Sequence, residues 1–185
     1  MKNIFRIRFL FTGILLVILL ASCQDTSKKD PPLQLGQTYA GGLIFYIDGT
    51  GQHGLVCAPY DQSNAAPWCP GSPVLTNATN IPVGQGQPNT TLIVNVQGSA
   101  GYYAARMCDT LTLGGYTDWF LPSRDEIGYM SANVKSMGIG NFANAPYWCS
   151  TEFDAGTATT LDFGAGGYSN HPKTDLWHVR AARAF

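Results

Sequence analysis

The 185-residue chain contains few charged side chains and no large surplus of either sign. Asp, Glu, Lys and Arg make up 12% of it, and the formal net charge is -1. Proteins that bind nucleic acids or sulfated polymers carry a basic surplus. The composition therefore argues against both partners, although it leaves room for a local basic patch. We expect no binding to nucleic acid.

The motifs of common catalytic and metal sites are absent as well. The sequence contains no Gly-x-Ser-x-Gly, no His-Glu-x-x-His, no glycine-rich phosphate loop and no Cys-x-x-Cys pair. Its three histidines, His53, His171 and His178, are scattered. Glu152 with Asp154 is among the nearest approaches to the paired carboxylates of glycoside hydrolysis. We assign no catalytic residue, no metal site and no cofactor.

An apolar run near the N-terminus is too short to span a membrane, because residues 9–21 fall below the roughly 20 apolar residues that a hydrocarbon core requires. Lys2, Arg6 and Arg8 precede the run, and small residues followed by Cys23 end it. This pattern resembles a bacterial lipoprotein signal. It predicts cleavage after residue 22 and a lipid on the Cys23 thiol. The alternative is an ordinary secretory signal that happens to contain a cysteine.

Cleavage at this point would leave a mildly acidic chain. Three of the eleven basic residues lie in the signal, so eight basic and twelve acidic residues remain, a net charge of -4. Residues 23–35 comprise the lipidated cysteine and a polar stretch with prolines, which is typical of a flexible tether. Residues 36–185 are long enough for one domain with its own core. We expect a protein of the outer membrane or cell surface that contacts the membrane through its lipid anchor only.

Four further cysteines lie in the predicted domain: Cys57, Cys69, Cys108 and Cys149. An even number of cysteines in an exported chain predicts two disulfides. Free buried thiols are the alternative.

Hydrophobic periodicity and turn residues predict an α+β fold. The first expected element is a hairpin of residues 41–48 and 54–58. A helical region should follow from an Asn89 cap to Gly114, then a strand at 116–121 and a helix at 124–137 that begins with a Ser123–Glu126 capping box. Three more strands are expected at 147–153, 157–163 and 176–185. Residues 59–88 are expected to form a long irregular loop.

Several sequence blocks resemble a known bacterial family: GGLIFYIDGTGQHGLVCAP, PNTTLIV, AARMCDTLTLGGYTDWFLPSRDEI, YWCSTE and HVRAARAF. This family is the domain of unknown function 1566 (DUF1566), also named for the C-terminal domain of a Legionella collagen-like adhesin. The resemblance covers residues 36–185. It implies an α+β, C-type-lectin-like domain in which N- and C-terminal strands pair and two helices flank a mixed, twisted sheet.

The resemblance also implies adhesion through binding of a host or matrix polysaccharide. Sulfated polysaccharides fit poorly, since the predicted mature chain is acidic and no collagen-like stalk precedes the domain. A lectin-type calcium site is not expected, because the Trp-Asn-Asp triplet of such lectins is absent and Gln87-Pro88-Asn89 precedes the first helix.

The same resemblance suggests how the cysteines would pair. In the family blocks, Cys57 and Cys149 replace residues that are more often alanine and serine. Two unusual cysteines in one chain are most simply each other's partner. The resemblance therefore favours Cys57–Cys149 and Cys69–Cys108 over the other two connectivities.

Flat aromatic rings can stack on sugars, so exposed aromatic residues are the best candidates for a binding site. Most of the tryptophans and tyrosines are expected in the core. Tyr168, Asn170 and His171 lie in a glycine-rich segment that is predicted as a loop, and packing accounts for them less well. With Trp177 and Arg124 they form the predicted ligand-binding set. Arg124 would either pair with a nearby carboxylate or supply a small anion-binding pocket.

The leading hypothesis is therefore a lipid-anchored surface module that recognises carbohydrate, a glycoconjugate or a host or matrix polymer. An envelope structural or protein-interaction subunit without a small-molecule site is the alternative. An enzyme that acts on glycans is the least favoured hypothesis.

Overall fold

The computed structural model describes residues 31–185, so the predicted signal peptide and the lipidation site Cys23 lie outside the described residues. The elements of the unit Pro32–Phe185 follow one another in this order: β1 (Thr38–Tyr39), β2 (Gly42–Ile47), β3 (Gly54–Cys57), β4 (Ser63–Ala66), α1 (Gly86–Gln97), α2 (Ala104–Asp109), α3 (Arg124–Met130), a π-helical turn (Ser131–Lys135), β5 (Pro146–Glu152), β6 (Thr157–Asp162), β7 (Tyr168–Pro172), β8 (Trp177–Val179) and β9 (Ala182–Ala184).

The strands form two sheets. One has the order β1-β2-β3-β9, and the other has the order β4-β8-β5-β6-β7. The second sheet is mixed, because β5 and β8 pair in parallel whereas its other pairs are antiparallel. The predicted α+β class is confirmed. The resemblance implied a single sheet with two helices, whereas the described residues form two sheets and three α-helices.

The predicted hairpin is confirmed as β2 and β3, which pair antiparallel with a bulge between Ile44 and Tyr46. The Asp48 side chain orders the turn, because its Oδ1 accepts hydrogen bonds from the backbone N–H groups of Thr50 (3.0 Å) and Gly51 (3.1 Å). β9 then pairs with β3 and brings the end of the chain to this hairpin.

The helical region predicted up to Gly114 is interrupted. Gly98 and Gly101 have φ values of 78° and 81°, a left-handed conformation that an α-helix cannot continue through, and they separate α1 from α2. Asn89 is not the cap that we predicted. It lies buried within α1, where its amide donates a 2.7 Å hydrogen bond to the carbonyl oxygen of Asn80.

The capping box at the start of α3 is confirmed. The Ser123 side chain accepts from the Glu126 N–H, and the Glu126 carboxylate accepts from the Ser123 N–H at 2.8 Å. Glu126 is fully buried and also accepts from the Gly84 N–H at 2.7 Å. Burial raises the pKa of this carboxyl, an effect that the backbone hydrogen bonds partly offset. One glutamate therefore fixes both the helix start and the loop before α1.

Two predicted elements are wrong. Residues 116–121 form no strand and contribute only isolated bridges, among them Phe120 with Ala182, because this segment is held by core packing rather than by a ladder. The segment predicted as a glycine-rich loop contains strand β7, which pairs with β6 along its whole length. Polar side chains cover β7, so the sequence lacks the apolar alternation by which strands are recognised.

Three tryptophans lie in the core, as expected for most of the aromatic residues. Trp68, Trp119 and Trp148 are at most 1% exposed. Each indole N–H donates to a carbonyl oxygen: that of Trp68 to Cys149 (2.9 Å), that of Trp148 to Ala66 (2.9 Å) and that of Trp119 to Leu113 (3.3 Å). Their polar atoms are thus satisfied inside the protein.

The cysteines differ from the expectation. Cys57, Cys69, Cys108 and Cys149 are buried free thiols, and the predicted Cys57–Cys149 and Cys69–Cys108 bridges are not formed. Two thiols instead donate to backbone carbonyls, Cys149 to Thr159 (3.1 Å) and Cys69 to Gly71 (3.2 Å). Burial raises the pKa values of Cys57 and Cys149 to about 12. These side chains act as small apolar core residues.

We expect the four thiols to resist alkylation in the folded protein, because the reactive thiolate is suppressed by burial. Treatment with iodoacetamide, followed by peptide mapping, should leave all four unlabelled under native conditions. After unfolding in guanidinium without a reductant, all four should be labelled. Cysteines that need a reductant before they react would show that disulfides form after all.

Candidate functional site

A cleft of about 420 Å³ opens where β7, the end of β5 and the start of α3 meet. It brings together three of the five predicted ligand-binding residues, Arg124, Tyr168 and Asn170. The other lining residues are Thr79, Ile81, Thr151, Glu152, Phe153, Thr159 and Ser169.

Arg124 and Tyr168 are held against each other. Arg124 is the first residue of α3, and its N–H donates to the Thr151 hydroxyl at 3.0 Å. Its guanidinium carbon lies 4.3 Å from the centre of the Tyr168 ring. The Tyr168 hydroxyl in turn donates to the Arg124 carbonyl oxygen at 2.9 Å. Both the backbone and the side chain of the arginine are thereby oriented by cleft residues.

The Arg124 guanidinium has no ion-pair partner among the described residues. Within residues 31–185 it forms no salt bridge, whereas Arg180 pairs with Asp61 and Arg183 pairs with Asp118. The carboxylate in the cleft wall, that of Glu152, is buried and paired with the Lys173 ammonium at 2.5 Å. Among the residues that line the cleft, Arg124 is therefore the one charged group without an ion-pair partner.

Aromatic and amide groups complete the cleft. Phe153 is 64% exposed and Tyr168 is 39% exposed, so both rings have faces or edges open to solvent. The Asn170 side-chain oxygen accepts a hydrogen bond from the Thr159 hydroxyl at 3.0 Å. The amide nitrogen of Asn170 takes no part in this bond. The site thus combines a cation, two accessible rings and hydrogen-bonding groups.

The surface beyond Tyr168 continues as a second, shallower hollow of about 300 Å³, lined by Asp125, Gly128, Tyr129 and Ala132 as well as Tyr168. The Tyr168 hydroxyl packs directly on Gly128, where a Cβ atom would overlap it. A glycine at position 128 is therefore what allows the ring to lie across α3 between the two hollows.

His171 and Trp177 do not line the cleft. Successive side chains of a strand point to opposite faces, so His171 lies on the other side of β7 from Asn170. Its ring packs against Trp177 with 5.0 Å between centroids, and its Nδ1 lies 3.6 Å from the Asp175 carboxylate. These two predicted residues form a separate contact. Phe153, which the sequence analysis did not single out, takes a place in the cleft instead.

Two further observations concern the described residues only. No group of three or more His, Cys, Asp or Glu side chains among residues 31–185 is arranged to hold a metal ion. None of the helices in this range is both long and apolar enough to cross a membrane.

No family model and no curated protein sequence matches the chain. Its fold is similar to that in the crystal structure of a fimbrial protein from Bacteroides ovatus, with a TM-score of 0.55 and 13% sequence identity. The similarity covers 81% of this chain and 48% of the fimbrial protein, so the chain spans about half of that structure. At this identity the likeness concerns the fold alone.

Proposed function

We propose that this protein is a surface-associated binding module that recognises a polysaccharide or glycoconjugate in the Arg124–Tyr168 cleft. The observation that carries the proposal is the unpaired guanidinium stacked on a half-exposed tyrosine. No catalytic role is assigned to any residue of the cleft.

The chemistry of the cleft fits an acidic sugar. The apolar face of a pyranose can stack on the open ring of Phe153 or Tyr168. A carboxylate on the sugar can accept a charge-assisted, bidentate hydrogen bond from Arg124. Asn170 is exposed beside them and offers its amide to the sugar hydroxyls. Because the chain as a whole is acidic, isolated acidic units fit it better than an extended polyanion.

The proposal includes a location and a family. The fimbrial neighbour supports a surface-associated protein, and the N-terminal pattern that ends at Cys23 supports export and lipid anchoring at the outer membrane or cell surface. Membership of DUF1566 and a C-type-lectin-like fold remain proposals, supported by the sequence blocks quoted above and by the mixed second sheet and the β3–β9 pairing.

A second candidate function is that of an envelope or fimbrial subunit whose partner is a protein. The fimbrial neighbour favours it. Cross-linking of intact envelopes followed by pull-down of the chain separates the two candidates, because a subunit should yield one dominant protein partner. A carbohydrate-binding module should yield none and should retain binding to purified glycans.

We expect Arg124→Gln to weaken binding of an acidic glycan by about tenfold to a hundredfold, because one charge-assisted hydrogen bond contributes about 1.5–3 kcal/mol. Binding would be measured by calorimetry on the acidic glycans that the wild-type chain binds, each compared with its neutral counterpart. The variant should lose the preference for the acidic form.

Lys135→Gln is the matched control, since it removes one positive charge from a lysine whose ammonium donates to Asn144 at 2.6 Å and which does not line the cleft. It should leave affinity unchanged. Equal losses in the two variants would mean that net charge, not the cleft, governs binding.

A further inference from the structure

An exposed apolar surface lies close to the start of the described chain. Met137 is 52% exposed and Leu35 is 38% exposed. The two belong to adjoining segments, because a Cβ atom at Gly36 would lie 3.1 Å from the Met137 sulfur and 2.9 Å from Ile139 Cδ1. Leu35, Gly36, Met137, Gly138 and Ile139 together are named here the Leu35–Met137 patch.

A tight turn after the π-helical turn presents most of this patch. Ser136, Met137 and Gly138 are exposed, and Gly138 has a φ of 72°, a left-handed conformation that suits glycine. The Val134 carbonyl oxygen accepts hydrogen bonds from the N–H groups of Met137 (3.2 Å) and Ile139 (3.4 Å). Backbone hydrogen bonds therefore hold an aliphatic side chain, that of Met137, at the surface.

The segments that form the patch carry no negative charge. Residues 32–39 and 131–145 contain no Asp or Glu, and Lys135 is their one charged residue, although the predicted mature chain is acidic. Aliphatic side chains beside a lysine, without carboxylates, suit a lipid surface. The apolar groups can enter the boundary between headgroups and acyl chains, and anionic headgroups attract the ammonium.

The predicted anchor is only a short length of chain away. Because an extended chain spans at most about 3.6 Å per residue, the ten steps from Cys23 to Leu33 reach at most about 35 Å. A domain of the size of Pro32–Phe185 has a radius of gyration of about 15 Å and therefore a diameter of about 40 Å. A lipid on Cys23 would thus hold the side that carries the patch, not the far side, at the membrane.

We propose that the Leu35–Met137 patch rests on the membrane in which the Cys23 lipid is inserted, with the Leu35 and Met137 side chains among the headgroups and upper acyl chains. This inference rests on the lipid anchoring included in the proposed function. Because the anchor keeps the patch at a high effective concentration near the lipid, a small apolar surface is sufficient. Docking fixes the orientation of the domain on the membrane and leaves the Arg124–Tyr168 cleft free, since the patch shares none of its lining residues.

The test uses the full lipidated chain in vesicles of phosphatidylethanolamine and phosphatidylglycerol. Ser136→Cys places an exposed thiol beside the patch, and an NBD fluorophore is attached to it under native conditions, in which the thiols of the described residues are buried. Lipids with a nitroxide in the upper acyl chain quench a fluorophore that lies in the interface. We expect quenching of at least about half, because interfacial segments lie about 5–10 Å deep.

Val96→Cys is the matched control. Val96 is 49% exposed, close to the value for Met137, and it lies on α1, which packs against α2 and β5. A fluorophore there should not be quenched. In the Ser136→Cys chain, the further changes Leu35→Ser and Met137→Ser should reduce quenching to the level at Val96. The urea midpoint should stay close to that of the wild type, because both side chains are partly exposed.

Quenching that is equal at the two positions, absent at both or retained after the two serine substitutions would overturn the proposal. A Ser136 fluorophore that self-quenches with rising protein concentration in detergent, but is not quenched by the nitroxide lipids, would assign the patch to a second copy of the chain instead. Intact mass separates the two levels of the proposal. A chain without lipid on Cys23 refutes the anchoring and the docking together, whereas a lipidated chain with an unquenched Ser136 fluorophore refutes the docking alone.

Discussion

Replacing Lys173 with methionine is expected to lower the free energy of unfolding by about 3–5 kcal/mol, because it leaves the Glu152 carboxylate buried without its counter-charge. The ammonium and carboxylate lie 2.5 Å apart, and both side chains are 0% exposed. Lys173 also donates to the carbonyl oxygens of Val74 (2.8 Å) and Ala155 (3.0 Å), so these acceptors would lose their donor as well.

The effect should be concentrated in the loop between β4 and α1. Glu152 accepts hydrogen bonds from the backbone N–H groups of Thr76 (2.8 Å) and Asn77 (2.7 Å), and it thereby ties this loop to the end of β5. Hydrogen exchange of the Thr76 and Asn77 amides should accelerate in Lys173→Met before the sheet amides do.

Urea unfolding with linear extrapolation gives the stability change. Lys135→Met is the matched control, since it makes the same substitution at a partly exposed lysine, and it should change stability by less than about 1 kcal/mol. The double variant Lys173→Met with Glu152→Gln should recover part of the loss, because no buried charge is then left unpaired. A Lys173→Met variant within about 1 kcal/mol of wild type would contradict this account of the ion pair.

Replacing Arg180 with methionine is the second change with a large expected effect, a loss of about 3–5 kcal/mol in the free energy of unfolding. The Arg180 side chain is 0% exposed and its Nε donates to Asp61 at 2.6 Å. Its Nη1 donates to the carbonyl oxygens of Ala58 (2.9 Å) and Gly140 (2.8 Å), and its guanidinium lies 3.9 Å from the centre of the Phe142 ring. One side chain therefore holds the chain after β3 against the segment before β5.

Asp61 would keep two partners after this change, the Tyr147 hydroxyl at 2.9 Å and the His178 ring at 2.8 Å. We therefore expect the loss to lie toward the lower end of the range. Arg106→Met is the control, since Arg106 pairs with Asp109 at the surface of α2 and exposed pairs contribute about 0.2–1 kcal/mol. Similar losses of unfolding free energy for Arg180→Met and Arg106→Met in urea unfolding would contradict this expectation. They would show that the buried Arg180 contacts stabilise the fold no more than an exposed ion pair does.

Local chemistry made part of the fold predictable from the sequence. The β2–β3 hairpin depends on a turn in which Asp48 bonds to residues two and three positions away. The α3 start depends on Ser123 and Glu126, three positions apart. Hydrogen bonds between residues two or three positions apart depend on the residue types at those positions. The sequence pattern therefore identifies them without knowledge of the tertiary structure.

Long-range partners explain the failures. The Glu152–Lys173 pair joins residues that are 21 positions apart, and nothing in the local pattern at either residue distinguishes it from an exposed charge. The cysteines illustrate the same point, because a disulfide depends on the distance between two Cα atoms, which counting cannot supply. Packing against the core, not strand propensity, likewise decided the conformation of residues 116–121.

The sequence predicted the residues of the candidate site only where a role in core packing did not account for them. Tyr168 and Asn170 were found because a polar, glycine-rich segment left them without an expected core role. Arg124 was singled out as a cation in the family-like blocks that could pair with a carboxylate or supply an anion-binding pocket. His171 was misplaced because the segment is a strand, in which neighbouring side chains point to opposite faces. Phe153 gave no sequence signal, since the exposure of its ring is a property of the folded chain.

A glycan array probed with the wild-type chain and with Tyr168→Ala side by side tests whether the Arg124–Tyr168 cleft binds glycans. We expect the wild-type chain to bind a defined set of glycans enriched in acidic sugars. Tyr168→Ala should lose these signals while it unfolds at a similar urea concentration. No glycan bound above background, or the same acidic glycans bound equally by both proteins, would contradict the assignment of the Arg124–Tyr168 cleft.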